Sequence, residues 1–195
     1  GTPAGTYSFT YTICETLNPT NCATATITVT VIAATIAADT DSVSGVNGAS
    51  GATGVVNVLD GDTLNGAPVT LSSTTLSVAT PATPATPGAP VPVLNPATGL
   101  VDVPAGTPAG TYSITYQLCE TLNPTNCVTS TVSVTVAASP LVATADSVAA
   151  INGLTGATAV VNAFTADTVN GVAASPTNAT LSVAPGAVPA GLTFD

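Results

Sequence analysis

Lysine, arginine, histidine, methionine and tryptophan are all absent from this chain of 195 residues, and only 5% of its residues carry charge. Each absence excludes chemistry. Without histidine or lysine there is no Ser-His-Asp or Cys-His arrangement, no Schiff-base amine, and no imidazole to hold a transition metal. Acid–base catalysis would rest on carboxylates alone, so the sequence argues against an enzyme. Nucleic-acid binding depends on cations that neutralise phosphates, and a chain of formal charge −10 is repelled by a polyanion. An anionic membrane surface repels it likewise. No run of about 18 uncharged apolar residues occurs, so no spanning helix and no membrane insertion are expected. The chain opens at Gly1 in mid-pattern without a methionine, which predicts a fragment or a processed product.

Hydrophobic residues make up 45% of the chain, and the polar surface must therefore be built from Thr, Ser and Asn. Such a surface suits a tethered, polymerised or glycosylated protein better than a freely diffusing one. It also offers no trypsin-type cleavage site.

What is present is a repeat. GTPAGTYSFTYTICETLNPTNC from Gly1 returns as GTPAGTYSITYQLCETLNPTNC from Gly106, 105 residues later. DSVSGVNGASGATGVVN from Asp41 returns as DSVAAINGLTGATAVVN from Asp146, and DTLNG from Asp62 as DTVNG from Asp167. A period of 105 matches one β-sandwich domain. Alternation of Thr, Val and Ile without an amphipathic helix predicts an all-β fold of tandem immunoglobulin-like or cadherin-like sandwich repeats. The alternating run closes at Val31 and again at Val136. Residues 1–34 are thus read as the closing strands of one repeat, 35–138 as a complete repeat, and 139–195 as the opening strands of a third. The partial repeats could be completed by neighbouring repeats of the same chain or of an identical one.

Within the complete repeat, strands are expected near 35–45, 53–60, 67–79, 99–103, 110–119 and 127–137, with one or two more between. Asn47-Gly48 and Asn65-Gly66 supply turns that need positive φ, and Asn95 to Gly99 reads as another turn. The proline-rich stretch Ala79 to Pro92 offers too few backbone donors for a central strand and reads as an extended surface loop. Tyr112, Ile114, Tyr116 and Leu118 share one face, and Val128, Val132, Val134 and Val136 extend it, so these point to the core. Tyr7 and Tyr112 sit where sandwich domains carry a corner tyrosine, although ordinary core tyrosines fit the pattern equally.

Cys119 and Cys127 fall on the outward face with seven residues, ETLNPTN, between them, as do Cys14 and Cys22. Each pair can bridge adjacent strands if the register sets them opposite. Free or zinc-bound cysteines fit less well, there being no His and no CxxC spacing. Disulfides predict an oxidising, extracytoplasmic address.

The PAGTYxxTYxxCExxNPTNC signature, with its DSVxxxNG and DTxNG blocks, resembles the repeats of giant secreted surface proteins of Bacteroidota. Those include the large gliding-motility adhesin of flavobacteria, exported by the type IX secretion system. The resemblance covers essentially the entire chain. It implies a bacterial cell-surface stalk or filament that carries adhesive surface outward, with surface glycans or abiotic surfaces as partners.

Three further site readings arise from the residues. Calcium at a repeat boundary would use Asp39, Asp41 and Glu120, hard oxygen donors near the predicted junction. The second copy weakens this, since Thr144 replaces Asp39 and Thr165 replaces Asp60, and solvated turn and cap aspartates are the simpler account. Ser42, Thr63, Ser147 and Thr168 lie in Asp-Ser/Thr-apolar triplets resembling Bacteroidota O-glycosylation sites, a pattern that turns also favour. Asp60 and Asp62 form a carboxylate pair of the kind glycosidases use, but no aromatic platform accompanies them. The competing functional class is a ligand- or carbohydrate-binding accessory module, which would put its specificity in a variable loop such as Ala79 to Pro92.

Overall fold

The structure is a computed structural model that describes residues 1–194, and Asp195 lies outside the described residues. Among the described residues there is no helix. The chain divides into two compact units, Gly1–Ala137 and Ala138–Asp195.

The first unit opens with β1 (Gly5–Cys14) and β2 (Cys22–Val31), paired in one two-stranded sheet. There follow β3 (Ile36–Ala37), β4 (Asp41–Asn47), β5 (Ala52–Asn57), β6 (Thr63–Leu64), β7 (Ala67–Pro68) and β8 (Thr74–Thr80). The unit closes with β9 (Val93–Asn95), β10 (Leu100–Val103), β11 (Gly110–Glu120) and β12 (Cys127–Ala137). Two sheets share one apolar core: a four-stranded sheet in the order β4-β12-β11-β8 and a three-stranded sheet in the order β5-β10-β9. A small sheet, β3-β6-β7, accompanies them.

The core follows from strand alternation. Tyr112, Ile114, Tyr116 and Leu118 of β11 and Val132, Val134 and Val136 of β12 are buried, with Leu94, Val101 and Val103 facing them from the smaller sheet. Val128, expected inside, is only half-buried, and Ser130 takes a buried position beside it. A serine is tolerated there because its hydroxyl donates to the Asp39 carbonyl. Tyr112 also carries a corner bond, its hydroxyl donating to Pro108 O at 2.8 Å, and Tyr7 repeats it to Pro3 O at 2.8 Å.

Several expectations about local structure need correction. The continuous strands read at 35–45 and 67–79 are each broken, because β3 and β7 pair with β6 while β4 and β8 join the larger sheet. Between β7 and β8 the chain turns at Thr70, whose carbonyl accepts from the N–H groups of Ser73 and Thr74. β4 runs parallel to β12, with Val43 beside Val134. Asn65-Gly66 forms the expected tight turn, with φ of 52° and 76°. Asn47 also opens a turn, its carbonyl accepting from the Gly51 N–H at 2.9 Å, but the positive φ falls at Gly51 and not on the Asn47-Gly48 pair. Gly48 lacks positive φ; it is required because a Cβ there would lie 2.1 Å from the Thr107 carbonyl oxygen. The loop from residue 81 to 92 carries no strand, yet Ala82 and Pro92 are buried and pin its two ends.

The second unit contains β13 (Leu141–Val142), β14 (Thr168–Val169) and β15 (Val172–Ala173), paired as one small sheet. These are the counterparts of β3, β6 and β7 at 105 residues' distance, with the same turn at Asn170-Gly171. Residues 146–152 and 157–162, whose counterparts form β4 and β5, are not strands. β4 and β5 exist by pairing with β12 and β10, so a matching sequence without those partners does not extend.

Candidate functional site

The most organised polar site lies at the tip of the β11–β12 hairpin. The two strands run in unbroken register from Gly110 opposite Val136 to Cys119 opposite Cys127. That register sets the cysteines face to face with Cα atoms 4.1 Å apart, and they form a disulfide. Cys14 and Cys22 do the same at the tip of β1–β2. No cysteine is free among the described residues. Two such bonds fit an oxidising environment.

Between Cys119 and Cys127 the loop folds around one carboxylate. Asn123 Nδ2 donates to Glu120 Oε1 at 2.7 Å, and Asn126 Nδ2 donates to Glu120 Oε2 at 2.9 Å. The Asn126 N–H bonds the Asn123 carbonyl, and the Glu120 N–H bonds the Asn126 carbonyl. This ordered cup takes hold of the chain that leads from β2 into β3. The Ala34 N–H donates to Glu120 Oε2 at 3.2 Å, and Asn126 Nδ2 donates to the Ala34 carbonyl at 2.7 Å. Asn123 Oδ1 accepts from the Ala4 N–H at 2.6 Å. Both main-chain groups of one residue are thereby held, and no side chain is read. The β11–β12 hairpin is thus tied to the segment between β2 and β3 and to the residue that precedes β1. Residues 1–34, read from sequence as the closing strands of one repeat, fall in the same compact unit as the residues up to Ala137.

A chain without cations must solvate its carboxylates with neutral donors, and Glu120 shows the result. The Asn126 amide, followed by the Asn123 amide and the Ala34 N–H, holds its pKa below the ordinary glutamate value against the opposing effect of burial. A depressed pKa stabilises the fold above the unfolded-state value and loses that stabilisation as pH falls through the folded one. Acidification below about pH 4.5 therefore weakens the clasp.

A second polar knot sits under the same sheet and was not anticipated from the sequence. Asp62 is buried, accepts from the Asp39 N–H at Oδ1 (2.8 Å), and accepts from the Tyr116 hydroxyl at Oδ2 (3.3 Å). That hydroxyl also reaches the Asp39 carbonyl (3.1 Å) and Asp41 Oδ2 (3.3 Å). Burial pushes Asp41 up to about 6, with Tyr116 opposing and the neighbouring carboxylates Asp62, Asp60 and Asp39 reinforcing. Asp62 is raised for the same first reason, opposed by the Asp39 N–H and Tyr116. Two signals pointed here: a serine at an inward strand position, and an aspartate kept in both DTxNG blocks. Asp167 in the second block accepts from the Thr144 N–H at 2.7 Å, so the substitution of Asp39 by threonine preserves a main-chain bond.

The three calcium candidates lie in two different hydrogen-bond networks. Asp39, Asp41 and Glu120 do not come together, and no group of three or more His, Cys, Asp or Glu able to hold a metal exists among the described residues. Glu120 is engaged with the junction, whereas Asp41 belongs to the tyrosine knot. Of the four glycosylation candidates, Ser42 and Ser147 are exposed, and Thr63 and Thr168 are half-buried in short strands. No family model and no curated protein matches the chain.

Removing Cys119 and Cys127 together by alanine substitution is expected to lower the unfolding free energy by about 2–3 kcal/mol, from the chain entropy of so short a loop. Urea denaturation of the variant against the oxidised parent measures it. An unchanged midpoint would mean that the hydrogen-bonded cup alone organises the tip.

Proposed function

We propose that the chain is part of a long extracellular bacterial surface protein, built from immunoglobulin-like β-sandwich repeats of about 105 residues that act as a structural or adhesive stalk or filament. The observation that carries this reading is the clasp at the hairpin tip, whose Glu, two Asn and two Cys recur 105 residues apart. Tying consecutive repeats through main-chain groups stiffens an array without requiring a particular linker side chain. The absence of Lys, Arg and His supports a non-catalytic role and resistance to trypsin-type proteases. Resemblance to secreted surface repeats of Bacteroidota supports the cell-surface address, as do two disulfides.

Antibody labelling of intact cells that make the protein, combined with deletion of Ala79 to Pro92, tests the role. A stalk is labelled from outside and keeps its adhesion after the deletion. Loss of adhesion with the stalk still displayed would favour a ligand-binding accessory module. Labelling only after lysis would overturn the surface assignment.

A further inference from the structure

We infer that Thr80, Thr83 and Thr86 are O-glycosylation sites, each hydroxyl accepting a sugar from an activated diphosphate donor, on an extended arm that leaves the end of β8. Residues 79–87 read Ala-Thr-Pro three times. Each proline ring fixes its own φ and drives the threonine before it away from the helical region, so six of these nine residues are held extended by covalent geometry. In a polyproline conformation three residues make one turn, which lines threonines three apart along one side, about 9 Å between neighbours. The arm ends in a tight turn. Thr86 O accepts from the Ala89 N–H at 3.0 Å across Pro87 and Gly88, and Gly88 takes a φ of 81°, the type II geometry that this pair favours. Ala82 packs into the core and anchors the arm, whereas all three threonines are exposed.

The three hydroxyls are also uncommitted. Threonines at turns elsewhere bend theirs back on the chain: Thr74 donates to Thr70 O at 2.9 Å, Thr107 to Pro104 O at 2.6 Å and Thr165 to Asn162 O at 2.7 Å. Among the described residues no hydroxyl bond engages Thr80, Thr83 or Thr86. Ser42, Thr63 and Thr168, by contrast, lie in paired strands. An enzyme that must grip the backbone around its target finds it occupied there and open along residues 81–87.

Charge decides what the arm accepts. A phosphate would bring about two negative charges to a chain with no lysine or arginine to receive them. A neutral sugar adds hydration without charge, on a chain that is 45% hydrophobic and 5% charged. In the transfer, threonine Oγ1 bonds the anomeric carbon of a sugar carried on a nucleotide or polyprenyl diphosphate. The bond from that carbon to the phosphate oxygen breaks, its electron pair leaves with the diphosphate, and the hydroxyl proton passes to a base of the transferase.

Protein isolated from the cells that make it provides the test. Cleavage before aspartate releases residues 62–101 as one peptide, Thr63 included, and electron-transfer fragmentation assigns added mass to individual residues. Sugar mass on Thr80, Thr83 and Thr86 is the expected result, with complete loss from that peptide when Thr80→Val, Thr83→Val and Thr86→Val are combined. Valine keeps the β-branched shape at the end of β8. A bare polypeptide mass, phosphate at these positions, or sugar confined to Ser42, Thr63, Ser147 and Thr168 would overturn the inference. It rests on the arm and not on the stalk reading. A bare arm on a protein labelled from outside overturns this inference alone, and a sugar-bearing arm on a protein labelled only after lysis overturns the surface role alone.

Discussion

Replacing Tyr116 by phenylalanine is expected to lower the unfolding free energy by about 2–3 kcal/mol, the upper range for losing a hydrogen bond to a buried charged acceptor. The single hydroxyl proton is shared among Asp62 Oδ2, Asp41 Oδ2 and the Asp39 carbonyl, and no cationic side chain exists in the chain to take its place. The loss should depend on pH. In the parent, Asp41 at about 6 and the raised Asp62 are favoured in their protonated forms by folding. Their contribution is complete below the unfolded-state value of about 4 and is lost as pH rises through the folded-state value. Without the hydroxyl, the ionised carboxylates lose a donor, both pKa values move further up, and the penalty grows with pH. Urea midpoints compared at pH 4 and pH 8 should therefore show a larger deficit for Tyr116→Phe at pH 8. A deficit of equal size at both would mean that the hydroxyl matters for packing or for the Asp39 carbonyl, and not for the carboxylates.

Gly48→Ala should be at least as damaging, costing about 3 kcal/mol or more through overpacking. The added Cβ would meet the Thr107 carbonyl oxygen at 2.1 Å and Val136 Cγ1 at 2.6 Å. Thr107 O is backbone, and the surroundings cannot give way, because Gly48 is bonded on both sides: its N–H to Ala137 O, its carbonyl from the Gly106 N–H. The internal control is Gly153, the same position of the next block, around which nothing lies within 4 Å. Gly153→Ala should leave the melting temperature of the chain within about a degree, since a surface substitution away from such contacts is worth at most about 0.5 kcal/mol. Thermal denaturation of the two variants side by side decides it. Similar shifts for both would show that glycine is demanded by the turn itself and not by the approach of the 104–107 segment.

The strand pair 110–120 and 127–137 was legible because its alternation is strict and its two cysteines mark the register. The turn at Asn65-Gly66 was legible because only a short list of residues accepts positive φ. Sequence places carboxylates near a boundary but does not say which donors reach them first. Asn123 and Asn126 reach Glu120, and Tyr116 reaches Asp41 and Asp62, by contacts that span up to 75 residues. The clasp itself was visible only as a repeated ETLNPTN string, with no hint that it holds the main chain of Ala34.

From residue types alone follow the all-β class, the 105-residue period, the candidate cysteine pairs across a hairpin and the lack of any cationic side chain. These depend on local alternation, identity between copies, or plain absence, none of which needs a third dimension. Tertiary structure decided the parallel seat of β4, the register that pairs the cysteines, the polar knot beneath the sheet, the tie between the β11–β12 hairpin and Ala34, and the reason for Gly48. The blocks at Asp41 and Asp146 make the division plain. They share a sequence pattern, and only the first is a strand, because a strand is completed by the hydrogen bonds of its neighbour and not by its own residues.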